Sequence, residues 1–256
     1  MKTTERFSNR VENYVKYRPA YPGAVAERLS ELGLLREGAV IADIGSGTGI
    51  SSELFLRRGH EVFGIEPNRE MRKAGEKLLS SFDRFHSLDA TAEATTLPDA
   101  SVDLVVAGQA FHWFDAEKAR AEFLRILKPG GAVVLIWNDR RTDSTDFLRA
   151  YEDLLKMFGT DYAKVNHKNV DETIFDAFWG IGNWEMFSVD NFQDFNYAGL
   201  KGRLFSSSYV PSEDHPDSAF MLSVLKKIFL RYQEPVTGGT VRFEYDTKVY
   251  YGKLRR

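Results

Sequence analysis

From residue 22 to about 138 the chain alternates between two apolar rhythms. Val25, Leu29 and Leu32 recur at helical spacing, and Gly33 lies where that helix would end. Val40-Ile41-Ala42 is a short continuous apolar run, the pattern of a strand buried on both faces. Residues 51–58 read as a second helix with Leu54 and Phe55 inward, ended by Gly59, and 62–65 as a second strand. Asn68 predicts the N-cap of a helix carrying Met71, Ala74, Leu78 and Leu79. Strands follow at 85–88 and 102–107, and Asp115 can cap a helix running through Leu127. Pro129-Gly130-Gly131 breaks that helix, and 132–137 is a fifth strand. Strands separated by helices of this length predict right-handed crossovers and a parallel sheet covered on both faces. Ligands of such sheets sit beyond the carboxyl ends of the strands, so the residues just after each strand are the ones to inspect.

Past Asn138 the alternation stops. Residues 142–158 and 172–178 read as helices rich in aromatics, 184–189 as a strand, 197–205 and 212–232 as helices. A Gly238-Gly239 turn precedes a final strand at 241–251. The expected organisation is one domain over 1–256, with a core at 38–138, a helical cap at 139–183 and a return to the sheet over 184–256.

Composition narrows the function more by exclusion than by suggestion. The formal charge is -3 at pH 7 and the pI about 6.0, so no broad basic field awaits nucleic acid or anionic lipid. No run reaches the ~18 apolar residues of a membrane span, and the polar start, 1–10, does not read as a secretory leader. The absence of cysteine rules out disulfides, thiolate metal sites and cysteine nucleophiles. A cytoplasmic location is expected. The five histidines show no metal-ligand spacing, so no metal is expected.

The most informative segment is Asp43-Ile44-Gly45-Ser46-Gly47-Thr48-Gly49, set between a strand and a helix. Its glycines permit positive φ and let a ligand lie against the backbone, beside the unpaired N–H groups of a helix start. A dinucleotide fingerprint needs glycine or alanine at the sixth position, which here is Ile50. A phosphate-binding loop would need a lysine, and none is present. Glu66, at the end of the second strand, is placed to accept both ribose hydroxyls of an adenosyl group.

Together these residues resemble the class I S-adenosylmethionine-dependent methyltransferases, particularly the group known as methyltransferase domain 11. The resemblance runs from Ile41 through Gly49, then Gly64-Ile65-Glu66-Pro67-Asn68, Asp89-Ala90-Thr91-Ala92-Glu93, Leu97-Pro98-Asp99, Val102-Asp103-Leu104-Val105 and Leu127-Lys128-Pro129-Gly130-Gly131. It covers about 38–138. It implies a Rossmann-like three-layer α/β sandwich with a mostly parallel seven-stranded sheet, the last strand antiparallel, plus the helical cap. It also implies S-adenosyl-L-methionine as cofactor, with S-adenosyl-L-homocysteine as product. Gly45, Ser46 and Gly47 would line its methionine and ribose, Glu66 would hold the ribose, and Asp89 with Ala90 the adenine. Gln109 and Ala110 would pass near the sulfonium. Asp43 would meet the methionine ammonium or fix the loop through backbone N–H groups. Phe7-Ser8-Asn9-Arg10, Tyr14, Tyr17-Arg18-Pro19 and Tyr21-Pro22 are similar to the segment that folds over the cofactor in small-acid methyltransferases, including trans-aconitate methyltransferase. Residues 1–22 are therefore expected to cover the cofactor, with Tyr17 and Arg18 touching it.

Methyl transfer asks mainly for positioning and water exclusion. His112, after the fourth strand, is the candidate general base, or a loop tether through a backbone carbonyl. Tyr14 and Trp113 are candidate acceptor walls, and Arg140 and Arg141 candidate forks for an acceptor carboxylate. Lys201, Arg203 and Tyr209 lie in a stretch similar to the substrate side of the small-acid group. Gly108-Gln109-Ala110-Phe111 departs from the Asn/Asp-Pro-Pro-aromatic run of nucleic-acid methyltransferases, which makes a small-molecule acceptor the expected partner. The oxygen of a carboxylate or hydroxyl is the expected nucleophile, and a monomer or homodimer the expected state. Two alternatives stand beside this: a non-catalytic binder of the same cofactor, and a nicotinamide oxidoreductase, against which Ile50 counts.

Overall fold

The apolar runs are continuous because both faces of one sheet are covered. The computed structural model describes residues 15–159, 172–207, 209–234 and 239–255. Its strands are β1 (Val40–Ile44), β2 (Glu61–Ile65), β3 (Phe85–Leu88), β4 (Val102–Gly108), β5 (Leu127–Arg140), β6 (Trp184–Phe195) and β7 (Val241–Gly252). They form a seven-stranded sheet in the order β3-β2-β1-β4-β5-β7-β6. The first five strands are parallel, and β7 runs antiparallel to both β5 and β6. This is the Rossmann-like α/β sandwich expected from the sequence, with its last strand reversed.

The helices are α1 (Gly23–Glu31), α2 (Ile50–Leu56), α3 (Arg69–Leu78), α4 (Ala116–Ile126), α5 (Asp146–Phe158), α6 (Glu172–Trp179), α7 (Tyr197–Phe205) and α8 (Ser218–Tyr232). Alternate strand residues divide between them. Ile41, Val62, Leu104, Val106, Val134 and Ile136 pack with Val25 and Leu29 of α1 and Leu54 and Phe55 of α2. Ala42, Ile65, Val105, Val133 and Leu135 pack with Phe123 of α4 and Phe175 and Phe178 of α6. The caps are those that the side chains permit: Asn68 accepts from the backbone N–H of Glu70 and Met71, and Asp115 from that of Lys118.

The second half of the chain departs from the expected cap. Helix α6 belongs to the layer on the sheet, whereas α5 joins α7 and α8 in a separate lobe. That lobe rests on Phe195 of β6 and Phe243 and Tyr245 of β7. The expected 139–183 unit is thus two pieces with different partners, because Phe147, Tyr151 and Leu155 of α5 match the lobe while Phe175 and Trp179 match the sheet. Several boundaries also move. The helix expected from 212 starts at Ser218, since Pro216 lacks an N–H and disfavours helix at the residue before it. The helix expected from 142 starts at Asp146, where Thr145 caps the N–H of Leu148. Leu127 is already extended and opens β5, and β6 continues to Phe195, well past 189.

Phe243 is fully buried and meets Phe147, Tyr151 and Phe195 edge-on, which makes it the peg between sheet and lobe. Phe243→Ala is expected to lose about 3–5 kcal/mol of stability, the range for a buried Phe truncation. Urea unfolding followed by circular dichroism measures it; a loss under about 1 kcal/mol would mean that the lobe holds to the sheet by other means.

Candidate functional site

Strand β1 delivers Asp43 to the interior just before the chain turns through the glycine loop into α2. Gly45, Gly47 and Gly49 all have positive φ, at 68°, 57° and 86°. Gly45 needs its missing side chain twice over, because a Cβ there would stand 2.6 Å from the Cβ of Ala110. The loop is pinned to the next strand by the N–H groups of Gly45 and Ser46, which both donate to the Ile65 carbonyl at 2.8 and 3.1 Å.

Glu66 clamps the same loop. One carboxylate oxygen accepts from the Gly47 N–H at 2.9 Å and the other from the Asn68 N–H at 2.8 Å. Burial pushes its pKa up, against the pull of these two bonds. Each oxygen retains a further lone pair.

Asp43 is fully buried. Its Oδ2 accepts from the hydroxyls of Ser51 at 2.7 Å and Ser52 at 2.6 Å, while Oδ1 has no hydrogen-bond partner. Burial raises its pKa to about 6, although both serines pull the other way. No cation pairs with it among the described residues, so the site holds a carboxylate in want of one.

A small cleft, open to solvent, lies beside these groups. Its walls run from Arg18, Pro19 and Tyr21 across loop residues 45–48 to Gly108, Gln109 and Asn138. Gln109 ends β4 with φ 56°, a left-handed conformation uncommon for a residue with a side chain. Its N–H donates to the Ile136 carbonyl at 2.8 Å, which aims the turn across the strand ends. Ile50 also lines the cleft and fills the room beside the start of α2.

Among the residues singled out from the sequence, the structure brings together Arg18, Gly45, Ser46, Gly47, Gln109 and Ala110, with Asp43 and Glu66 beneath them. Asp89 stands at the outer end of β3, mostly exposed, where Arg72 donates to it at 2.7 Å and also to the Glu66 carbonyl at 2.7 Å. Ala90 is buried next to it. Tyr17 goes elsewhere: its ring lies against Gly202 of α7 and edge-on to Phe195, so it is a lobe contact and not a wall of the cleft. Tyr14 lies outside the described residues.

His112 and Trp113 share a single 3-10 turn, Phe111–Trp113, with their rings 4.5 Å apart. Trp113 is 37% exposed, and neither residue lines the cleft of Asp43 and Gln109. The arginine forks need correction. Arg140 is paired with Glu152 of α5, and Arg141 with Asp190 and Asp246, so protein carboxylates already occupy both guanidinium groups. They face acids because β5 runs on past the end of β4, beside β7 and against α5. Among the described residues no group of three or more His, Asp or Glu could hold a metal. None of their helices is long and apolar enough to cross a membrane.

Sequence reasoning passed over Ser51 and Asn138. Asn138 is the keystone of the cleft's edge: its Nδ2 donates to the carbonyls of Pro19 and Ala20 at 3.3 and 3.4 Å, while its Oδ1 accepts from Thr247 at 2.6 Å. The signal available was a lone amide directly after an apolar strand, Val133 to Trp137.

The residues therefore suit an adenosyl ligand that carries an ammonium group: a buried carboxylate that no cation pairs among the described residues, a carboxylate with spare lone pairs at the β2 end, and a loop with glycine at every second position between them. The methyltransferase domain family of type 11 matches residues 42–135. A methyltransferase-like protein of Schizosaccharomyces pombe is 31% identical over 60% of this chain and 59% of its own length. A methyltransferase of Geobacillus kaustophilus, itself uncharacterised, is 33% identical over 58% of this chain and 69% of its own. A solved structure from Anaeromyxobacter dehalogenans, described as a candidate type II methyltransferase, superposes with a TM-score of 0.71 over 94% of this chain and all of that one, at 20% identity. The chain spans little more than half the length of several of the curated relatives it matches. Fold, loop and relatives agree: the chain belongs to the class I S-adenosylmethionine-dependent methyltransferase family.

Proposed function

We propose that this chain transfers a methyl group from S-adenosylmethionine to a carboxylate or hydroxyl oxygen of a small-molecule acceptor by in-line displacement. The observation that carries the reading is that the buried carboxylates Asp43 and Glu66 bond Ser51 and Gly47, two residues that line the same cleft as the strained turn at Gln109. When bound, the cofactor supplies a methyl carbon already activated by positively charged sulfur. Asp43 Oδ1 would take the ammonium, and the Glu66 oxygens the ribose hydroxyls. Gly45, Ser46 and Gly47 would lie under the methionine and ribose. Asp89, with Ala90, would receive the adenine, and Gln109 with Ala110 would flank the reacting centre. Arg18 and Tyr21 of the strap at 15–22 line the cleft, and the strap would cover the bound cofactor and limit its contact with water. A carboxylate nucleophile needs no base; for a hydroxyl, His112 on the turn after β4 would be the acceptor of its proton. The acidic pI supports a small acceptor over nucleic acid.

Calorimetric titration with S-adenosylhomocysteine, with NADH as control, tests the reading: micromolar binding of the first alone is expected, and tighter binding of NADH would overturn it. Gly45→Ala should weaken S-adenosylhomocysteine by at least about tenfold, since strain at positive φ and the Ala110 contact both displace the loop. An unchanged affinity would remove the loop from the site.

Asp43 gives a pH test with two opposite signs. Its carboxyl titrates near 6 in the folded chain and near 3.8 when unfolded, so between these values the folded state holds the extra proton. Stability of the ligand-free protein should therefore fall by roughly 3 kcal/mol as pH rises from about 4 to about 6, then level off. Ligand affinity should move the other way, about tenfold weaker at pH 5 than at pH 7.5, because protonation removes the ammonium's partner. Asp43→Asn should flatten both profiles. Parallel chemical-denaturation and calorimetric series read them, and an affinity independent of pH in the unaltered protein would detach Asp43 from the ammonium.

A further inference from the structure

Within the lobe, Arg203 of α7 is only 5% exposed. Its guanidinium donates to three neutral hydroxyls, Ser206 Oγ and Ser207 Oγ at 3.2 Å and Tyr245 Oη at 3.4 Å. No carboxylate pairs with it among the described residues, and the Phe243 ring, 5.9 Å away, compensates the charge only in part. An unpaired buried cation opposes folding, so a chain that keeps one has another use for it.

Tyr151 of α5 lies beside it, 2% exposed, and its hydroxyl has no hydrogen-bond partner. The Tyr151 ring also meets Arg140 at 5.2 Å, but Arg140 is neutralised by Glu152. Arg203 is therefore the cation left over, with an unsatisfied O–H donor next to it. The pair stands close to the cofactor cleft: Ser206, which accepts from Arg203 through its hydroxyl, also accepts from the cleft residue Arg18 through its carbonyl at 2.9 Å.

We propose that Arg203, with Tyr151, is the anchor for a carboxylate of the acceptor, and that the acceptor is a small acid bearing a second oxygen function. The proposal rests on the methyltransferase reading for its second half. A carboxylate held by a guanidinium is a weakened nucleophile, so the anchored group orients the molecule and its other oxygen faces the cleft. This transfers to Arg203 the role that sequence spacing suggested for Arg140 and Arg141. The Tyr17 ring of the strap lies against Gly202, next to Arg203 in α7.

The test uses the full chain with succinate, glutarate and 3-hydroxybutyrate as probes and succinamide as the uncharged control. Thermal denaturation is read with and without each probe, for the unaltered protein, Arg203→Met, Arg203→Lys and Tyr151→Phe. At least one acid should raise Tm in the unaltered protein while succinamide does not. Arg203→Met should abolish that rise yet leave the ligand-free Tm unchanged or higher, since the uncompensated charge is gone; Arg203→Lys should retain part of the rise. Tyr151→Phe should weaken the acid about five- to tenfold with the ligand-free Tm maintained. A lowered ligand-free Tm in Arg203→Met with the acid response intact would overturn the proposal and make Arg203 a packing residue. So would the absence of a response to all three acids in the unaltered protein. S-adenosylhomocysteine titration of the unaltered protein separates the two claims. Failure there with the acid response intact removes the methyltransferase reading alone, and the converse removes only the anchor.

Discussion

A carboxylate without a cation governs the carboxyl end of this sheet. Asp43 cannot be moved outward, because β1 is the third of seven strands and is covered on both faces. It cannot be neutralised by a neighbour, because the residues against it are two serines and a glycine loop. Glu66 adds a second buried acid close enough to raise its own pKa through Asp43. Ordinary folding would select against such a pair. Their persistence makes sense if the complete structure includes a positively charged ligand, and the surrounding geometry is consistent with that: a glycine-rich loop, a turn at Gln109 held in a strained conformation, and Arg18 and Tyr21 at the edge of the cleft.

The sheet and the lobe bury charges of opposite sign. On the sheet side the uncompensated groups are acids, and on the lobe side the uncompensated group is Arg203. A molecule bridging the two sides would be cationic at one end and anionic at the other, or two molecules would share the space, one of each sign. The second description is the one that a group transfer from a sulfonium to an acid requires. On that proposal, specificity would reside in a lobe outside the residues that the family model matches, 42–135.

Legibility in the sequence was uneven for a physical reason. The core announces itself because local rules act alone there: apolar runs bury both sides of β1 and β4, Asn68 and Asp115 cap their helices, and loop glycines need positive φ. The lobe is assembled from distant pieces, so Arg203 meets Tyr245 across 42 residues and Tyr151 across more. No spacing rule reports such a meeting. Arg140 and Arg141 misled for the same reason. Their position after a strand is the right one for a ligand fork, yet Glu152, Asp190 and Asp246 arrive from α5, β6 and β7 to meet them. Tyr17 lies within a segment that does reach the cleft, but the gap left by Gly202 draws its ring to the lobe instead.

Strand β7 is the last element described and yet lies inside the sheet, between β5 and β6. During synthesis, β1 to β5 can assemble as they emerge, since each pairs with strands already made. Strand β6 cannot join them, and α5, α7 and α8 have no floor, until Phe243 and Tyr245 leave the ribosome. The nascent chain thus has a long interval in which the open edge of β5 and the apolar faces of the lobe helices are both uncovered. Completion of the final strand closes the sheet and founds the lobe in one event. The half of the site that would choose the acceptor therefore comes into being only once β7 is in place.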